Sequence, residues 1–363
     1  MEDGGSMDAG LWALADLLTP MAVRVAATLR LADHITRGLR TAPEMAEVEL
    51  VDVDALERVL RHLVSTGVCG RDESGRYSLT SLGEQLRGDH PSGLRAMLDI
   101  EGAIGRADLA VVQLLHSVRS GEACFPVQFG CEFWNDMASD PARTASYDRQ
   151  MGADVATWAP AIVEAYDWGS LRHVVDVGGG NGTLLATLLK AHPTLRGTVF
   201  DQPATAETAR KALTASDLAD RSGVVSGSFF DSLPPRAGGY VLCAILHDWN
   251  DEAARAILRR CAEAAGKAGK IFVVEKTDAD GESPPTEMDL RMLAYFGGRE
   301  RGVAEISALA EDSRLRVSAV HAANDLSIIE LTAPQPPSTG TWTGSSDNRS
   351  ASKPEKGWPP SAS

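Results

Sequence analysis

The sequence is short of what a membrane, an oxidising compartment or a nucleic acid would require. No apolar run approaches the roughly 18 residues that a helix needs to cross a bilayer. Basic residues are outnumbered, 35 Lys and Arg against 50 Asp and Glu, for a net charge of -15. Such a surface repels phosphate backbones, so nucleic acid is not an expected partner. Cysteine is sparse: Cys69, Cys124, Cys131, Cys243 and Cys261 are odd in number and form no CxxC pair. That argues against a disulfide framework and a zinc site, and for reduced thiols in a cytoplasm with no metal. The stretch "MEDGGSMDAG" is acidic where a secretory signal would be basic and then apolar.

What is present describes an ordinary soluble globular chain. Its 363 residues are 44% hydrophobic and 23% charged, enough for two domains or one large domain with an accessory piece. Three regions separate by composition. Residues 1–105 read as mostly helical. "LTPMAVRVAATLRLADHI" sets Met21, Val25, Leu29 and Ala32 on one helical face, and "DVDALERVLRHLVSTGV" places Asp54 to cap the next helix. "CGRDESGRYSLTSLGEQL" follows as two short strands about a turn at Ser74-Gly75. Helix, helix and hairpin in that order resemble a winged helix. Its second helix mixes Arg58, Arg61 and His62 with Asp54 and Glu57 and shows no basic stripe. A dimerisation or lid module is therefore expected rather than a DNA reader.

Residues 106–333 hold linking helices and then strands alternating with helices: "HVVDVGG", "RGTVFD", "GVVSGSFF", "YVLCAILHDW", "KIFVVEK" and "SIIELT". This alternation indicates an α/β doubly wound sheet, in which ligands bind at the carboxyl ends of strands. His247 stands at one such end, in "ILHDWNDE". Taken alone, it is better read as a polar residue that ends a strand. Residues 334–363 are rich in Pro, Ser, Thr and Gly and are expected to be a disordered tail.

"HVVDVGGGNGTLLATLL" is a strand, a glycine turn and a helix, with Gly178, Gly180 and Gly182 free to take positive φ. The spacing is GxGxG, not the GxGxxG of a dinucleotide loop. Twenty-five residues after Asp176, the next strand ends at Asp201, placed to accept both hydroxyls of a ribose. A tight turn followed by a helix cap is the alternative.

Together, "DVGGGNG", "FDQP", "GSFFDSLP", "LHDWND" and "MDLRMLAYFGGRER" resemble the class I S-adenosylmethionine-dependent methyltransferases. More narrowly, they resemble the small-molecule O-methyltransferases of the caffeic acid type and their bacterial aromatic-polyketide relatives. The likeness runs from about Leu17 to Leu331, and "AYDWGSLRHVVDVGGG" looks particularly like the anthracycline 4-O-methyltransferases.

The resemblance implies a Rossmann-like methyltransferase domain behind a helical, winged-helix-like dimerisation domain, and hence a homodimer. It implies S-adenosyl-L-methionine as cofactor, held by Gly178, Gly179, Gly180 and Asp201, with Phe229 stacked on the adenine. Ser228 stands where the family usually has Asp, and Cys243 where relatives carry Lys or Ser facing the cofactor; a core cysteine is the equal alternative. His247 matches the family's catalytic base, with Glu275 and Glu300 as its flanking acids. Asp248 is expected to contact substrate. Met151, Met292 and Met288 are expected to sandwich a flat ring, with Met288 split evenly between pocket and core. Trp134, Trp158 and Phe133 are expected as further walls. The implied reaction is O-methylation of a phenol on an anthraquinone- or anthracycline-like polyketide; the rival is a cofactor-retaining hydroxylase on the same fold.

Overall fold

The computed structural model describes residues 9–278, 280–283 and 287–334; the tail read as disordered lies, beyond Pro334, outside the described residues. The N-terminal part runs through α1 (Ala9–Ala15), α2 (Leu18–Thr28), α3 (Leu31–Thr36), α4 (Ala42–Glu49) and α5 (Val53–Ser65). An antiparallel ribbon of β1 (Cys69–Arg71) and β2 (Tyr77–Leu79) follows. The helix, helix, hairpin order is present, with two corrections. The stretch from Leu18 to Ile35 is not one helix: Arg30 takes the left-handed conformation at φ 50° and separates α2 from α3. The cap of α5 is Asp52, whose carboxylate accepts the Ala55 N–H at 2.8 Å. Asp54 lies inside the first turn and pairs on the surface with Arg58.

Short helices then connect the two parts: α6 (Leu94–Leu98), α7 (Ala103–Asp108), α8 (Leu114–Ser120), α9 (Phe125–Phe129) and α10 (Phe133–Ser139). The longer α11 (Pro141–Ala165) leads into the sheet. Its strands and helices are β3 (His173–Val177), α12 (Thr183–Ala191), β4 (Arg196–Asp201), α13 (Pro203–Ala215), β5 (Ser222–Ser226), β6 (Gly239–Cys243) and α14 (Asp251–Ala265). They continue with β7 (Lys270–Lys276), α15 (Glu287–Phe296), α16 (Val303–Asp312), β8 (Arg316–Ala323) and β9 (Leu326–Thr332).

Among the described residues, seven strands form one sheet in the order β5-β4-β3-β6-β7-β9-β8. The first five are parallel, and β9 pairs antiparallel to both β7 and β8. Strand side chains alternate between faces, so the strands of a sheet covered on both sides are apolar at nearly every position. In β6, Tyr240 and Leu242 face α14 and α16, while Val241 faces α11, α12 and α13. In β7, Ile271 and Val273 take the first face and Phe272 and Val274 the second. "GVVSGSFF" stops being strand at Ser226. The strand β8, half-exposed at the sheet edge, has no counterpart in the sequence reading.

Asp52→Ala is expected to cost about 1 kcal/mol of stability through the lost helix cap. Asp54→Ala removes only an exposed ion pair and is expected to cost less than about 0.5 kcal/mol. Denaturant titrations followed by circular dichroism measure both, and equal losses would return the cap to Asp54.

Candidate active site

The strand β6 ends at Cys243, and Ala244, at φ 55°, turns the chain into a 3₁₀ turn over Leu246–Asp248. His247 therefore sits in a turn beyond the strand, a correction to its placement as the strand's last residue. Glu275 lies near the end of β7, the parallel neighbour of β6. It is 3% exposed and uses both oxygens on the turn. Oε1 accepts the Leu246 N–H at 2.9 Å, and Oε2 accepts His247 Nδ1–H at 2.7 Å. One carboxylate thus holds the backbone of the turn and the ring that the turn carries. With Nδ1 donating, the lone pair of a neutral imidazole lies on Nε2.

The other acids stand back from the ring. Asp248 Oδ1 is 3.5 Å from His247 Nε2, long for a hydrogen bond. Glu300 is buried and makes no hydrogen bond to His247. Its N–H donates to Asp289 at 2.8 Å, and its Oε2 has no partner. Burial alone would pull the His247 pKa down. The charge and hydrogen bond of Glu275, with the charges of Asp248 and Glu300, outweigh it and push the ring up to about 10. Burial raises Asp248 to about 7 against the pull of His247, and burial also raises Glu300.

Arg301 was missed in the sequence reading. It is 3% exposed, and its guanidinium donates to the carbonyls of Leu246 and Trp249, each at 2.8 Å. Asp251 balances its charge at 2.8 Å. From the other side, the Arg299 N–H reaches the His247 carbonyl at 2.9 Å. A Cβ on Gly298 would lie 2.1 Å from that carbonyl oxygen, so only glycine lets the two chains approach. Segment 298–301 therefore clamps the turn carrying His247 and Asp248. In sequence, an arginine beside a glutamate reads as surface charge; only its burial shows otherwise.

The glycine loop folds as read, with Gly178 at φ 71° and Gly180 at φ 58°. A Cβ on Gly178 would lie 2.5 Å from Ile245 Cδ1, and one on Gly179 would lie 2.6 Å from Asp176 Cγ. Asp201 Oδ2 accepts the Gly180 N–H at 2.8 Å, and Oδ1 accepts the Gln202 N–H at 2.6 Å. Each oxygen keeps lone-pair capacity for a ligand hydroxyl. Ser228 lines a cleft of about 610 Å³ together with Phe200, Gly227 and Leu233. Phe229 packs beside Gly178 and edge-on to Trp249. Cys243, the last residue of β6, packs against the sheet core, and burial raises its thiol, with the charges of Asp176 and Glu275 adding to the shift. Asp176, also unnamed as a site residue before, is buried with Oδ2 unpartnered, and burial with the charge of Asp201 pushes it up to about 7.

These residues fit S-adenosylmethionine. The orphaned Asp176 oxygen would meet a cationic ammonium beneath the glycine loop, and Asp201 a pair of ribose hydroxyls.

An aromatic cluster forms the neighbouring wall. Trp134 stacks on Phe296 with ring centroids 5.5 Å apart, and Phe133 packs edge-on to both. Met292 is buried in this cluster. Met288, one turn earlier on α15, is 38% exposed, so the structure does not bring it in with Met292. Met151 is partly buried on α11. Trp158 packs on the sheet core under Lys276, away from the wall proposed for it. Tyr147, another residue not singled out before, packs on Trp134, and burial with the charges of Asp248 and Asp201 raises its phenol.

Comparison with known proteins identifies the family. The profile of the O-methyltransferase domain matches residues 92–314, and that of the O-methyltransferase dimerisation domain matches residues 12–88. A 2,7-dihydroxy-5-methyl-1-naphthoate 7-O-methyltransferase from Streptomyces carzinostaticus is 53% identical over 89% of this chain and 97% of its own. Aclacinomycin 10-hydroxylase RdmB from Streptomyces purpurascens is 40% identical over 90% of this chain and 91% of its own. The crystal structure of an O-methyltransferase from neocarzinostatin biosynthesis, in complex with S-adenosylmethionine and 2-hydroxy-5-methyl naphthoic acid, superposes with a TM-score of 0.86 at 52% identity. That match covers 91% of this chain and 100% of the other. The chain belongs to the S-adenosylmethionine-dependent O-methyltransferases, with the family's dimerisation domain ahead of its catalytic domain.

Proposed function

We propose that the enzyme methylates a phenolic hydroxyl on a fused-ring aromatic polyketide, with His247 as the general base. The observation that carries this reading is the bond between His247 Nδ1 and Glu275, which leaves Nε2 free to accept a proton. When bound, the cofactor would supply an electrophilic methyl group whose leaving group is a neutral thioether. The chain's own residues must hold the phenol in line with that methyl and take its proton. Glu275 raises the basicity of the His247 ring, which brings the imidazolium closer in acidity to a phenol and eases transfer of the phenol's proton. Glu275 stabilises the imidazolium as it forms, and Glu300 and Asp248 add negative charge around it.

The stacked, partly buried pair of Trp134 and Phe296, backed by Phe133 and Met292, suits a fused ring, since indole, phenyl and thioether surfaces pack on planar faces. The relatives support the substrate class from two sides, one named for a naphthoate and one for aclacinomycin. The anthraquinone or anthracycline class read from the sequence and a dihydroxynaphthoate are the two substrates to set against each other.

We also infer a homodimer. Leu11, Trp12, Leu14, Leu17 and Leu18 are all more than half exposed around α1, and the dimerisation profile covers this segment from residue 12. Such an apolar surface calls for a cover. The five free cysteines support a reducing compartment. Among the described residues, no helix is long and apolar enough to cross a membrane.

His247→Ala is expected to lower kcat/KM for the phenol by about 10² to 10⁴ while leaving cofactor binding intact. Mass spectrometry of products from hydroxylated anthraquinones and 1,4-dihydroxy-2-naphthoic acid, with S-adenosylmethionine, measures it. A gain of one CH₂ unit fits the proposal, undiminished methylation in the variant removes His247 as base, and a gain of one oxygen without methyl establishes the hydroxylase.

The pH profile gives a second test. His247 accepts a proton only when neutral, so activity rises with pH along a limb whose midpoint lies above the ordinary imidazole value. Removing the charge of Glu275 removes the main cause that raises it. Glu275→Gln is therefore expected to move this limb to lower pH by about one unit or more. A limb that stays in place belongs to some other group.

A further inference from the structure

Asp108, at the C-terminal end of α7, lies far in sequence from every catalytic residue of the site. Its carboxylate is 9% exposed and gathers three donors from two other elements. Oδ2 accepts Arg24 Nη2 at 2.5 Å, from α2. Oδ1 accepts Arg291 Nε at 3.0 Å and also the Tyr295 hydroxyl, both from α15. Burial would raise the carboxyl, but Tyr295, Arg291 and Arg24 together hold it below the usual carboxylate range. Arg24 has its other terminal nitrogen, Nη1, buried without a partner.

The helix α15 is the one that serves the site. It carries Met292 into the aromatic wall, and its Asp289 accepts the Glu300 N–H at 2.8 Å. Just beyond its end, the Gly298 N–H reaches the Met292 carbonyl at 3.1 Å, and Arg299 holds the His247 carbonyl. A ten-residue helix moves as a unit, so a constraint at Arg291 and Tyr295 is felt at Asp289 and Met292. On the other side, α2 belongs to the hydrophobic core of the N-terminal part, which is separate from the aromatic cluster. Within that arrangement, the Asp108 cluster is a charged junction between the two.

We propose that Asp108 is a positioning residue that ties the dimerisation domain, through Arg24, to the substrate-facing helix α15, and so sets the enzyme's affinity for the aromatic substrate. This rests on the reading that Met292 faces that substrate. It gives the dimerisation domain a part in substrate binding through a path within one chain.

Arg24→Met is the informative variant. It cuts only the α2 limb and leaves Asp108 paired with Arg291 and Tyr295, so no buried charge is orphaned. Hydrogen–deuterium exchange on the full chain should show the amides of residues 287–296 exchanging about tenfold faster. The amides of β3, β6 and β7 should be unchanged. The KM for 1,4-dihydroxy-2-naphthoic acid should rise by about five- to twentyfold, with the dissociation constant for S-adenosylmethionine unaltered. Arg24→Lys should restore most of both effects. Unchanged exchange in residues 287–296 overturns the proposal. So does faster exchange throughout the sheet with weaker binding of both ligands, which would mark a general stability role. Met292→Ala separates the two readings: if it leaves the KM unchanged, the pocket reading has failed, and the exchange data still decide whether the link to α15 exists.

Discussion

The hydrogen bond from His247 Nδ1 to Glu275, 2.7 Å long, is the interaction on which the rest of the site depends. A buried carboxylate costs several kcal/mol to desolvate unless it is paired and hydrogen-bonded. Glu275 meets that condition only because β6 and β7 are parallel neighbours in register, which brings the turn after one strand against the end of the other. The same carboxylate accepts the Leu246 N–H, so ring orientation and turn geometry are set together. Losing Glu275 would free both at once. The arrangement therefore couples the chemistry of one side chain to the packing of the whole sheet.

Around this bond the structure concentrates negative charge. Asp248, Glu275 and Glu300 surround one imidazole, and Asp176 and Asp201 lie together under the glycine loop. Burial raises the carboxyls of Asp176, Asp201, Asp248 and Glu300, and the charges of neighbouring carboxylates add to the rise. A site built in this way stores electrostatic demand for cations. The family's cofactor carries an ammonium and a sulfonium. Arg301, though positive and buried, spends its donors on backbone carbonyls and Asp251, so it shapes the turn without filling that demand.

Several parts of this were legible from residues alone. Strands covered on both faces are apolar at nearly every position, so β3, β6 and β7 stood out by their runs of Val, Ile, Leu and Phe. Positive φ favours glycine, so the loop at Gly178 and Gly180 announced itself. Other parts were hidden. The edge strand β8 alternates exposed and half-buried residues and lacks the apolar run that marked its neighbours. Arg30 and Ala244 break regular structure with left-handed backbone although neither is glycine, and no local composition signals this. Met288 and Met292 share a helix and a residue type, yet only the second is buried.

The sequence by itself determined the periodicities, and with them the alternating sheet, the glycine turn and the acid that ends the next strand. These follow from local sterics and from the need to bury apolar faces, both written in residue order. Only the tertiary structure decided which carboxylate bonds the histidine, that Glu300 stands back from it, that Arg301 clamps the turn from within, and that Asp108 joins α2 to α15. Those are contacts between residues as many as 187 positions apart. Their energies depend on burial and on distances of a few ångströms, and neither exists until the chain has folded.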